Sequence, residues 1–140
     1  MRKSLVLVCA ILAVSVSGLL WGCEPAEDTA AHAAFDETIH SLEQEYASFY
    51  LLGADADVQK VKDGVSSLSS LWKDVEAAAE DLDDVDLLAA KEAHDALAEA
   101  VQALPADSAE GEPMNVAMPL FETFKAAVEE VHEKGGFHDK

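Results

Sequence analysis

Val58-Gln59-Lys60-Val61-Lys62-Asp63-Gly64-Val65-Ser66-Ser67-Leu68-Ser69-Ser70-Leu71-Trp72-Lys73-Asp74-Val75-Glu76-Ala77-Ala78-Ala79-Glu80-Asp81-Leu82 decides the fold class. Its apolar residues return in alternating steps of three and four, at Val58, Val61, Val65, Leu68, Trp72, Val75, Ala79 and Leu82. That period lays one continuous stripe along a helix, which must bury against other helices. Asp55 or Asp57 is placed to cap its start, since a short carboxylate accepts the free N–H groups of a first turn. Gly64 lies inside the segment but off the stripe, at a cost of about 1 kcal/mol relative to alanine.

The same period recurs on both sides. Upstream, Phe35, Ile39, Leu42, Tyr46 and Phe49 form a stripe that stops at Gly53, a residue suited to a helix C-terminus. Downstream, Leu87, Ala90, His94, Leu97, Val101 and Leu104 predict a helix from Asp84 to Leu104, ended by Pro105. The acidic loop from Ala106 to Pro113 follows. Ala117, Phe121, Phe124, Val128 and Val131 mark a last helix that ends at Gly135-Gly136, with Pro119 expected in its first turn. No useful strand alternation appears. The expectation is an all-α chain, an up-down-up-down antiparallel four-helix bundle over residues 31–134 with a flexible tail at 135–140. A long helical hairpin that dimerises into a bundle is the other arrangement this pattern allows.

Residues 1–22 have a different character. Arg2 and Lys3 precede the apolar stretch Leu5–Val16, and small residues then lead to Leu20-Trp21-Gly22-Cys23. This is the layout of a cleaved signal peptide. A membrane span wants about 20 apolar residues, and Ser15, Ser17 and Gly18 interrupt this one, which disfavours a retained anchor. Leu20-Trp21-Gly22-Cys23 resembles the lipobox of bacterial lipoproteins, with Leu20, Gly22 and Cys23 matching and Trp21 departing from the usual small or β-branched residue. The resemblance implies that Cys23 becomes the first residue. It would then carry a diacylglyceryl thioether and an amide-linked acyl chain such as palmitate. Two or more chains anchor stably, at about 0.8 kcal/mol per buried CH₂. Glu24 after the cysteine implies a cell-envelope address, at the outer membrane facing the periplasm rather than the inner membrane. Residues 23–30 then act as lipidated cysteine and short polar tether.

Removal of residues 1–22 leaves seven lysines, no arginine and all 28 acidic residues, a formal charge of −21 against −19 for the full chain. Nucleic-acid binding is excluded on charge, because its affinity comes from cations that neutralise phosphate. A membrane partner is expected only through the lipid, and the charge suits a cationic protein partner or divalent metals. Solubility is a sufficient reason for such a surface. Cys9 leaves with the leader and Cys23 is taken by lipid, so packing alone holds the domain.

In the expected topology one end of the bundle collects His32, the turn with Asp81, Asp83, Asp84 and Asp86, and His132 and His138. Imidazole with carboxylate suits zinc, nickel or copper(II), and carboxylates alone suit calcium or magnesium. The turn is not a calcium-binding EF-hand loop, since Val85 and Asp86 stand where a ligand and a glycine belong. His94 falls on a buried stripe and is a buried polar candidate. The closing stretch Ala126–Lys140 is similar in pattern to the last helix of cytochrome c′-type bundles. Lys134 and Phe137 occupy the positions of the two haem-attaching cysteines there, with only His138 matching, so covalent haem has no attachment. Neither a nucleophile elbow nor a phosphate-cradling glycine motif appears. The expected function is a non-enzymatic, membrane-tethered binding or scaffold module without cofactor. The alternative is an envelope metal-binding or metal-sensing protein.

Overall fold

Each apolar stripe becomes the buried face of a helix. The computed structural model describes residues 26–134. The stretch expected to be a signal peptide, Cys23 and the segment with His138 lie outside them. Among the described residues the chain forms four helices and no strand: α1 Ala26–Tyr50, α2 Val58–Ala79, α3 Leu88–Gln102 and α4 Glu112–Lys134. The all-helical bundle expected from the periodicity is what the chain forms. Helix α1 begins at Ala26, inside the stretch read as a tether.

The start of α2 is set by Asp57, whose Oδ1 accepts the backbone N–H of Lys60 at 2.8 Å. Its stripe is buried from Val58 to Val75. The helix stops at Ala79, and Leu82 stays in the core from the connecting turn. Helix α3 starts at Leu88, four residues later than expected. Asp86 explains the delay: its Oδ1 accepts the N–H of Leu88 at 3.0 Å, offering the backbone an alternative to helix through the acidic run. Helix α4 starts earlier than expected, at Glu112. Pro113 fills the N-terminal proline place and is buried, while Pro119 lies in the helix interior rather than its first turn. Pro119 and Asn115 both face outward, so the carbonyl that loses its usual donor is on the exposed side.

The core joins all four helices. Phe124 is at its centre, with ring centroids 5.4 Å from Trp72 (α2), 5.5 Å from His94 (α3) and 6.5 Å from Tyr46 (α1). Near-perpendicular and tilted rings of this kind add about 0.5–1.5 kcal/mol per pair beyond area burial. Phe121 extends the cluster against Tyr46, Phe49 and Tyr50. Gly64 of α2 lies against the side chains of Phe49, near the end of α1, and Leu52 just after it. A methyl group there would stand 2.9 Å from Leu52 Cδ1 and 3.1 Å from Phe49 Cδ2. The glycine off the stripe therefore marks a close approach. Gly53, with φ +83°, ends the chain's exit from α1 in the left-handed region that glycine adopts without strain.

Neighbouring helices meet in opposite senses. Asp36 near the start of α1 meets His132 near the end of α4, and Tyr50 at the end of α1 meets Glu122. Likewise Glu76 late in α2 meets Lys91 early in α3, while Lys62 early in α2 donates to the carbonyl of Leu104 after α3.

Candidate functional site

Two histidine–carboxylate pairs bring separate parts of the chain together at one end. His32 Nε2 on α1 lies 3.1 Å from Asp84 Oδ2 in the α2–α3 connection. His132 on α4 addresses two carboxylates of α1, with Nε2 at 2.8 Å from Asp36 Oδ1 and Nδ1 at 3.5 Å from Glu43 Oε1. His40 Nδ1 stands 3.9 Å from the other oxygen of Glu43. The structure thus joins His32 to Asp84 as one contact and gives His132 different partners, Asp36 and Glu43. Asp81 and Asp83 are exposed, and Asp86 receives the Leu88 amide. Among the described residues no three His, Cys, Asp or Glu side chains converge to hold a metal ion.

Beside this end is a cavity of about 220 Å³ between the start of α3 and the end of α4. Val85, Ala89, Ala127 and Val131 supply apolar walls, while Asp84, Asp86 and Glu130 bring carboxylates. Lys134 completes the lining and donates to Glu130 one helical turn earlier. That hydrogen bond, then the Glu130 charge, holds the Lys134 ammonium above the usual lysine range, and Asp86 adds to it.

His94 is buried as its place on the stripe predicts, at 8% exposure. It stacks on Trp72 at 5.9 Å between centroids. Its Nε2 is 2.9 Å from Ser69 Oγ and its Nδ1 3.2 Å from Asp95 Oδ1. With the proton on Nδ1, the ring donates to Asp95 and accepts the Ser69 hydroxyl, so both nitrogens are satisfied. The order of groups is that of a serine hydrolase triad, but Ser69 sits inside α2. There the neighbouring amides belong to the helix ladder, and no pair of free N–H groups is available for an oxyanion.

Sequence reasoning missed Asp36, Glu43, Ser69 and Asp95. Asp36 and Ser69 each follow a core residue directly, Phe35 and Leu68, and so stand at the edge of a buried stripe. That adjacency is the signal that would have found them. Tyr46 and Trp72 carry polar atoms that their places on the apolar stripes do not reveal. Their polar atoms, Tyr46 Oη and Trp72 Nε1, are buried without a hydrogen-bond partner among the described residues. Burial first, then the charges of Glu43 and Glu129, push the Tyr46 hydroxyl well above the ordinary tyrosine range.

Comparison of the chain with protein-family models, with curated proteins and with solved structures yields no match.

Proposed function

We propose that the protein is a lipid-anchored, acidic helical-bundle module of the bacterial cell envelope that binds a cationic protein partner and catalyses no reaction. The observation that carries this reading is the charge balance, seven lysines against 28 carboxylates once residues 1–22 are removed. The interior is taken up by apolar and aromatic packing, and His94 is fully engaged within it. Function therefore falls to the carboxylate-rich surface, which attracts basic partners and speeds their encounter. The helix-interior position of Ser69 supports a non-enzymatic role. Anchoring through Cys23 rests on Leu20-Trp21-Gly22-Cys23 and the apolar stretch before it.

Cross-linking in intact envelopes at low salt, followed by mass spectrometry, tests the partner reading. A basic protein recovered at low salt and lost at high salt is the expected result. Recovery of only acidic or neutral proteins, unaffected by salt, would overturn it. Cys23→Ser tests the anchor: the variant is expected to leave the membrane fraction, and unchanged membrane association would refute lipidation at Cys23.

A second reading is metal binding, for which His32 and Asp84, 3.1 Å apart, would supply the first two ligands. A folded-state site raises Tm with the logarithm of one plus ligand concentration over Kd. Zinc, nickel or copper(II) at micromolar levels is then expected to raise Tm, and His32→Ala to abolish the rise. A flat response in the parent protein would end this reading.

A further inference from the structure

The cavity between α3 and α4 combines two features that a single side-chain type matches. Its walls, Val85, Ala89, Ala127 and Val131, are aliphatic. Its volume of about 220 Å³ is several times the roughly 30 Å³ share of a liquid water molecule. Three carboxylates, Asp84, Asp86 and Glu130, share the lining with one ammonium, that of Lys134. Aliphatic walls with a net negative lining suit a long aliphatic stem that ends in a cation.

Lysine and arginine are built this way. Each buries its methylenes along apolar surface and keeps its charged head among polar groups. Lys134 is itself largely exposed, and its head pairs with Glu130 one helical turn away. A neutral apolar ligand would take water from Asp84, Asp86 and Glu130 without bringing a charge to offset their net negative lining, and an anion would be repelled. A free divalent cation would gain nothing from the four aliphatic walls.

We propose that this cavity is the receptor for a lysine or arginine side chain of the basic partner. The proposal rests on the cationic-partner reading and gives it a location. One anchoring side chain enters the cavity, and other cations of the same segment lie along the surrounding acidic surface. The anchor supplies register, and the surface charges supply rate and salt dependence.

The test uses the full chain in detergent micelles, with labelled alanine and valine methyl groups observed by NMR and hexalysine added at low salt. The methyl signals of Ala89, Ala127, Val85 and Val131 are expected to shift first and farthest. Ala89→Leu narrows the cavity from an exposed helical position without changing any charge. It is expected to weaken hexalysine about tenfold, the loss that follows when roughly two methylenes of the stem go unburied. Ala127→Leu, from the opposite wall, is expected to do the same, so that the test survives poor folding of either variant.

Shifts spread over the acidic surface, with neither variant altering affinity, would overturn the cavity while leaving the cationic-partner reading intact. No binding of hexalysine at low salt would defeat both. Contacts between Phe137 and the Ala89 or Ala127 methyl groups in the free protein would name the chain's own tail as occupant and also overturn the proposal.

Discussion

Tyr46 is the residue whose chemistry is most exposed to a simple test. Its ring packs edge-on against Phe121 and Phe124, while its hydroxyl is buried without a partner. A buried group left unpaired costs about 1–3 kcal/mol. Tyr46→Phe keeps the ring and removes the cost, so urea unfolding is expected to show equal or greater stability, by up to about 1 kcal/mol. The pH dependence has a definite sign. Burial raises the folded-state pKa of Tyr46 above its unfolded value of about 10. The neutral form therefore contributes its stability in full below about pH 10, and loses it as pH rises from there toward the folded pKa. The parent protein is expected to lose stability steeply above pH 10, and Tyr46→Phe to flatten that limb. An unchanged alkaline limb would show that Tyr46 ionises freely. His94 teaches a related lesson. Its burial was readable from its place in the α3 stripe, but Ser69 as partner was not, because a contact across two helices depends on their rotation and axial offset.

Helix α2 shows how an element's sequence rules can agree with its packing. Its alternating stripe predicted the buried face from Val58 to Val75, and Asp57 caps it as a cap residue should. Gly64, a propensity defect by sequence, lies in a crowded place against Phe49 and Leu52. Alanine there has two opposed effects, a propensity gain of about 1 kcal/mol and a crowded methyl. Valine adds further bulk against Phe49 and Leu52 with a smaller propensity gain. Gly64→Val is expected to destabilise by about 1–3 kcal/mol in urea or thermal unfolding, the usual cost of overpacking. Neutral behaviour would mean that α1 and α2 stand farther apart than the structure shows. Helix ends were less readable than helix faces. The late start of α3 and the early start of α4 both come from local competition, in which Asp86 takes a backbone amide and Pro113 takes the N-terminal turn from Pro119.

At the scale of the whole molecule, charge sets the behaviour. A formal charge of −19 on 140 residues repels itself, and compaction brings like charges together. Salt shortens the Debye length from about 30 Å at 0.01 M to about 8 Å at 0.15 M. Raising salt over that range is expected to increase Tm by about 4 °C or more, the shift roughly 1 kcal/mol produces in a domain of this size. A Tm that falls with salt would point instead to the cross-helix ion pairs as the dominant electrostatics. By itself the sequence determined the helical class, the buried face of each helix and the chain's own strongly negative charge. These depend on local period and composition, which are properties of a chain before it folds. The tertiary structure alone decided that His132 faces Asp36 and Glu43, that His32 meets Asp84, and that aliphatic walls and carboxylates share one cavity. Those pairings depend on how far each helix is rotated and shifted against its neighbours, and that is fixed only when Trp72, His94, Phe124 and Tyr46 pack together.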